Sequence, residues 1–282
     1  MYKVDCRLGL MTNQNSNALQ RPADGERPRS YKTEAIVLRS RPVREADRLV
    51  TVLTPHIGKI AVTVRGARRI TSRLGGHLDT FNHVHLTLAL GHQVDVVTGA
   101  ESIESFGDLK ADLDRLATGL YFMELTDALL PERSPHSGAY SLLLDLLRAL
   151  NHGKPLDNVT RYAELHLLED SGYMPELGSC QVCGSEIVPG HHRFAPGLGG
   201  VVDDICKVSI GQVLPLSVNG LKVLRHYHRT GMFDAMQVSL SVDLRDELEK
   251  ILGVSIHYVL EREMATAYFV DHLRKLRKQL NN

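Results

Sequence analysis

The stretch Val84-His-Leu-Thr-Leu-Ala-Leu90-Gly91-His92-Gln93-Val-Asp-Val-Val97 alternates apolar and polar side chains on both sides of a Gly-His pair. A period of two puts every second side chain on one face of a strand, so this segment predicts two strands joined by a tight hairpin. Working back along the chain, three further Val-, Ile- and Thr-rich runs appear at Glu34 to Leu38, Leu49 to Leu53 and Lys59 to Val64. Thr54-Pro55-His56-Ile57-Gly58 and Gly75-Gly76 punctuate them as turns. Five short strands separated by turn signals predict a small β-barrel of the OB type over residues 31–105.

Working forward, the period becomes helical after Phe106. Leu113, Leu116, Leu120, Met123 and Leu130 recur at spacings of three, four or seven, and Pro131 ends the run. Ser141 to Leu150, Thr160 to Glu169, Ser217 to Arg229 and Val242 to Leu280 predict further helices, the last broken or bent near Gly253. A glycine- and cysteine-containing insert interrupts them at about 172–211. The expected class is α+β multidomain: an N-terminal OB-fold β-barrel, then an all-helical domain over 106–282 carrying a zinc-knuckle-like loop. Residues 1–30, rich in Asn, Gln, Pro and Arg with little periodic apolar content, read as a disordered leader or as an overextended start.

The 282 residues carry 33 basic and 33 acidic side chains, a balance that speaks against a nucleic-acid partner only if it is uniform. By segment the net charge is +2 over 1–30, +5 over 31–100, −8 over 101–200 and +1 over 201–282. A basic barrel is therefore joined to an acidic middle. No run approaches the ~18 apolar residues of a membrane span, and no secretory signal is recognisable at the start, so a cytoplasmic protein without membrane contact is expected.

Ten basic and three acidic residues lie between Lys32 and Arg73. Arg39, Arg41, Arg44 and Arg48 sit in and after the first strand, and Lys59, Arg65, Arg68, Arg69 and Arg73 in and after the third. Arg65-Gly-Ala-Arg68-Arg69-Ile-Thr-Ser-Arg73 packs four guanidinium groups and two hydroxyls into one loop, suited to phosphate oxygens, with Gly66 able to bring its backbone N–H close. Residues 31–100 hold only two aromatics, Tyr31 and Phe81, so base stacking contributes little. Binding should be electrostatic, salt-dependent and indifferent to sequence, and open to single- and double-stranded DNA. A merely solvated rim, with Glu45 and Asp47 pairing nearby arginines, is the bland alternative.

Cys180-Gln-Val-Cys183-Gly is a C-x2-C turn able to place two thiolates on one metal, and Asp203-Asp204-Ile205-Cys206 follows. A cysteine at 203 would complete a four-thiolate zinc spacing. As written, the candidate ligands of a structural Zn2+ are Cys180, Cys183, Asp203 and Cys206, with His191 or His192 as other fourth donors, and an empty knuckle as the alternative. Cys6 lies apart in the leader. Most of the fourteen histidines, such as His83, His85, His226 and His228, lack a neighbouring nucleophile or paired carboxylate, and no Walker A, G-x-G-x-x-G, G-x-S-x-G or H-E-x-x-H motif occurs. A non-enzymatic protein is expected, with a zinc-dependent enzyme or a protein-only scaffold as alternatives. Arg274-Lys-Leu-Arg-Lys278 reads as a solvated helix end or a second nucleic-acid contact.

Tyr31-Lys-Thr-Glu-Ala-Ile-Val-Leu-Arg39, Glu45-Ala-Asp-Arg48, Thr54-Pro-His-Ile-Gly-Lys59, Arg65-Gly-Ala-Arg-Arg69 and Ser72-Arg-Leu74 together resemble the N-terminal domain of the bacterial RecO family of DNA repair proteins. Tyr121-Phe-Met-Glu-Leu-Thr-Asp127, Gly172-Tyr-Met-Pro175 and Cys180-x-x-Cys183-Gly resemble the same family farther along the chain. The resemblance covers about residues 29–280. It implies an OB-fold domain, a helical domain, a zinc knuckle and the activity of a recombination mediator. Such a protein anneals complementary strands, binds the C-terminal tail of single-strand-binding protein and, with RecR, helps RecA replace that protein on DNA.

Overall fold

A computed structural model describes residues 30–43, 45–67, 72, 74–209, 211–262, 264–267, 269, 270 and 273. The leader, Arg44, Arg68, Arg69, Arg73, Cys6 and the 274–278 basic run lie outside them.

Five strands open the chain: β1 (Ser30–Pro42), β2 (Arg48–Thr54), β3 (Gly58–Val64), β4 (His83–Ala89) and β5 (Asp95–Glu104). They close into a barrel in the order β1-β2-β3-β5-β4, all neighbours antiparallel except β3 and β5. The hairpin at Gly91-His92 is wider than its sequence predicts. Strand pairing stops at Ala89 and resumes at Asp95, because the Asp95 carboxylate turns back to accept the Gly91 N–H at 3.1 Å and the Tyr31 hydroxyl at 2.8 Å. The loop is thereby organised around a buried carboxylate instead of a two-residue turn.

β1 explains how the barrel is attached. Its run Ala35-Ile-Val-Leu38 is buried at every position. Ala35 and Val37 face the barrel core with Val50, Val52, Ile60, Val62, Val64, Leu86 and Leu88, while Ile36 and Leu38 join Leu53 and Phe81 in the core of the helical part. A strand covered on both faces needs apolar side chains throughout, and that is what interrupts its alternation.

The helical part contains α1 (Gly107–Ala111), α2 (Leu113–Leu129), α3 (Ser137–Asn151), α4 (Leu156–Asp170), α5 (Val218–Arg229), α6 (Met232–Ala235) and α7 (Val242–Leu260). Asp112 caps α2 by accepting from the N–H groups of Asp114 and Arg115, and Ser217 and Ser241 cap α5 and α7. α7 passes through Gly253 unbroken and ends at Glu261, whose φ is 51°. The cap is therefore a left-handed residue eight positions later than the expected break. Between α4 and α5 the insert folds as a three-stranded sheet, β6 (His192–Ala195), β7 (Gly200–Asp203) and β8 (Leu214–Leu216), in the order β7-β6-β8. Phe194, Val201, Val202, Leu214 and Leu216 fix it to the helical core. Among the described residues, no helix is long and apolar enough to cross a membrane.

The barrel is docked at two points. The α2–α3 connection runs beside Gly58, with Arg133 N–H donating to the Lys59 carbonyl at 2.8 Å. At Gly58 (φ +82°) an added Cβ would lie 1.8 Å from the Ser134 carbonyl oxygen, so glycine is required twice over. On the other side, Arg148 of α3 makes a forked ion pair with Glu104 of β5, its shortest contact 2.6 Å. The buried His83 accepts or donates with Tyr140 at 3.0 Å and approaches Glu104 at 3.3 Å.

Candidate nucleic-acid interface and cysteine centre

Strand register decides which cations share an edge. Pro42 lies opposite Arg48 and Arg48 opposite Val64, so the end of β1, the start of β2 and the end of β3 form one rim. Arg41, Arg48 and Arg65 are gathered there, and Arg39 lies two residues back on the same face of β1. Arg41 and Arg65 are exposed and hold no ion pair among the described residues. Arg48 reaches Asp79 at 3.6 Å. Arg39 is exposed, and its Nε meets the Asp127 carboxylate of α2 at 3.2 Å as well as Thr51 Oγ1 at 3.2 Å. The carboxylates pairing with these arginines thus come from Asp79 and Asp127 and not from Glu45 or Asp47. Asp47 instead accepts the Gly66 N–H at 2.9 Å, which removes that amide from the set of donors available to a phosphate.

Lys59 departs from its expected role. Its side chain is only 8% exposed, and its ammonium lies 3.1 Å from the Asp127 carboxylate while also donating to the Asp127 backbone carbonyl. Register sets it opposite Leu53, at the end of β3 away from Arg65 and on the face that packs against the helical core. It is a pin between barrel and helices. Sequence gave no sign of this, because the partner lies 68 residues away. The two barrel aromatics are also committed: Phe81 is buried with φ 78°, and the Tyr31 hydroxyl is held by Asp95, with burial and that carboxylate raising its pKa.

The cysteines meet at the end of the insert sheet. A small hairpin closed by Ser179 and Glu186 carries Cys180 and Cys183, and β7 runs into the turn that delivers Cys206. The sulfur atoms of Cys180, Cys183 and Cys206 all lie within 4.8 Å of one another, and Cys180 and Cys206 are 3.7 Å apart. Tetrahedral zinc with Zn–S bonds of about 2.3 Å places its sulfurs about 3.8 Å apart, so the thiols stand at the spacing the metal requires. Gly184 supplies φ +75° for the first turn. Backbone N–H groups of Val182 (3.5 Å) and Asp203 (3.3 Å) point at Cys180 Sγ. Burial works against ionisation there, but the amides of Asp203, Cys183 and Val182 outweigh it and bring the Cys180 thiol down to about 6. Cys206 is pushed up to about 12 by its hydrogen bond with Cys183, with burial and Cys180 adding to it. The opposed directions arise because neighbouring thiols hydrogen-bond to one another, so that one is favoured as thiolate and its neighbour as thiol.

Asp203 stands outside the group of three. Its Oδ1 accepts the Ile205 N–H at 3.2 Å, closing its own turn. His192 is likewise outside the group, with Nε2 on the Val188 carbonyl at 2.7 Å and Nδ1 buried without a partner among the described residues. Arg193 Nη2 binds the Asp203, Asp204 and Cys206 carbonyls and holds the second turn in shape.

A further feature was not visible in sequence. A cavity of about 410 Å³ opens between α2, α4, α7 and the segment after Arg262. Its apolar wall includes Val254, Ile256, Met264 and Ala267, and exposed Lys250, His257 and Arg262 stand around it. Buried Arg161 lies at its floor, paired with Glu164 at 2.8 Å, which also accepts the Tyr121 hydroxyl at 2.8 Å.

Comparison with known proteins agrees with this architecture. Residues 29–106 match the family model described as Recombination protein O N terminal, and residues 110–266 match Recombination protein O C terminal. A protein of Roseiflexus sp. (strain RS-1) named DNA repair protein RecO is 38% identical over 250 residues, covering 89% of this chain and 88% of its own. Proteins of the same name from Desulforudis audaxviator and Symbiobacterium thermophilum are 37% and 36% identical, each covering 88% of this chain and 98% and 99% of their own. With both halves matched in order and the relatives aligned over nearly their whole length, the chain belongs to the RecO family of DNA repair proteins.

Proposed function

We propose that the chain is a non-enzymatic recombination mediator whose barrel, an OB fold, binds single- and double-stranded DNA through its phosphates. The observation that carries this reading is the gathering of Arg39, Arg41, Arg48 and Arg65 along one rim while Phe81 is buried and the half-buried Tyr31 has its hydroxyl tied to Asp95. A rim that offers charge without a stacking platform neutralises backbones and leaves base edges free to pair, which is what annealing of complementary strands needs. Arg44, Arg68, Arg69 and Arg73 extend the same rim in this proposal. RecR, RecA acting indirectly, and single-strand-binding protein are the proposed partners. An acidic, apolar-ended tail of the last suits the cavity ringed by Lys250, His257 and Arg262.

We further propose that Cys180, Cys183 and Cys206 hold a structural Zn2+. Bound there, the metal would cross-link the two turns of the insert. No step of annealing passes through it.

The test is a fluorescence titration of single- and double-stranded oligonucleotides at several salt concentrations, beside a strand-annealing assay. Replacing Arg41 and Arg65 with Gln should weaken both substrates alike and slow annealing. Unchanged affinity at low salt would favour a scaffold that binds only protein. Loss of annealing when the metal is stripped, with the fold intact, would favour a zinc-dependent enzyme.

A further inference from the structure

We propose that the metal centre of this chain is coordinatively open: three protein thiolates leave a fourth position that takes an external thiolate donor from solution. The proposal rests on the zinc reading above and deepens it.

The two turns of the centre repeat one construction. In the first, Cys180 Sγ accepts the N–H of Val182, two residues on, at 3.5 Å. In the second, Asp203 Oδ1 accepts the N–H of Ile205, again two residues on, at 3.2 Å. Asp203 therefore reproduces the turn-closing half of a knuckle cysteine's role. It does so with a carboxylate that stands outside the cluster formed by Cys180, Cys183 and Cys206. A hard oxygen already accepting a backbone hydrogen bond is a poor competitor for a position beside three soft sulfurs. The imidazole that could replace it, His192, also stands outside that cluster, although its Nε2 alone is bonded, to the Val188 carbonyl. Access to the sulfur cluster is direct: Cys183 is exposed, and the flanking side chains of Val182 and Ile205 are 47% and 86% exposed. Zinc with three protein ligands and one exchangeable position is a stable arrangement, so the fold does not require a fourth residue.

Cobalt makes the open position visible. The full chain, stripped by a chelator and reloaded anaerobically with Co2+, is titrated with 2-mercaptoethanol while the sulfur-to-cobalt charge-transfer band is read. Going from three to four thiolates should raise that band by about one third, saturably. Asp203→Asn keeps an oxygen for the Ile205 N–H and should respond as the parent does, and Asp203→Ala should do the same if it folds. Asp203→Cys supplies the missing thiolate from the chain. It should show the higher band from the outset and ignore the added thiol. A parent that is silent to 2-mercaptoethanol while Asp203→Asn responds would make Asp203 the fourth ligand and overturn the proposal. Silence from both would assign the position to another side chain and overturn it equally. Failure of the zinc reading itself is distinguishable, because the parent would then take up no more cobalt than Cys183→Ser.

Discussion

Removing the Asp127 carboxylate separates two roles for the cations beside it. Lys59 is 8% exposed and its ammonium has the Asp127 side chain at 3.1 Å, whereas Arg39, on the same carboxylate at 3.2 Å, has a side chain 58% exposed. Asp127→Ala therefore strands a buried ammonium, a change that costs about 3–5 kcal/mol, while the solvated Arg39 loses little. Asp127 is itself 20% exposed, which places the expectation at the lower end, about 3 kcal/mol. For a chain of this size that lowers the melting temperature by roughly 6–12 °C. Lys59→Met removes the charge and keeps the length, so it should cost less than about 1.5 kcal/mol, as an apolar replacement of a buried pair often does. The double variant should be close to Lys59→Met alone, giving a coupling of about 3 kcal/mol in a mutant cycle. Urea unfolding of the four proteins measures all three terms. The same Lys59→Met protein should bind DNA with unchanged affinity and unchanged salt dependence. Additive single effects would refute the buried-pin account. So would a drop in DNA affinity for Lys59→Met, which would return Lys59 to the phosphate-binding set.

Arg65→Gln should cut the slope of log affinity against log salt by about 0.7 on single strands and about 0.9 on duplex, with no effect on the melting temperature, as read by anisotropy titrations. Gly58→Ala should destabilise the fold severely, by more than about 2 kcal/mol, since φ +82° and the Ser134 carbonyl both forbid a Cβ; thermal unfolding reports it. Acid should loosen the seam at Arg148. Its hydrogen bonds hold the Glu104 carboxyl below the usual range despite partial burial, so their contribution is full above the unfolded carboxyl value near pH ~4.3 and is lost as pH falls through the lower folded value. Arg148→Leu should flatten that part of a stability-against-pH curve. Chelation should lower the melting temperature of the parent chain and leave Cys183→Ser unmoved if zinc cross-links the insert.

The strands and helices were legible where a β-branched run or a Leu spacing is bounded by its own turn or proline signal. α2 follows its Leu spacing from Leu113 to the stop before Pro131, and β2 and β3 fall within a residue of their runs. Legibility failed where a distant group overrides local pattern. The Gly91-His92 hairpin widened because Asp95 serves Tyr31 and the loop at once, and α7 ignored Gly253 because its neighbours pack the helix on both sides of it. The site divides in the same way. The meeting of Cys206 with Cys180 and Cys183 follows from spacing, whereas the diversion of Lys59 depends on a carboxylate supplied by another element. The capture of the Gly66 amide by Asp47 required knowing how β2 and β3 register.

β1 belongs to two cores, and this bears on where the molecule can be cut. The family matches divide the chain between 106 and 110, but Ile36, Leu38, Leu53 and Phe81 cross that line into the helical core. A barrel expressed alone would present those four apolar side chains to water and associate through them, and a helical part expressed alone would carry the matching gap. The border drawn by sequence is therefore not a border of stability: barrel and helices should melt in one transition.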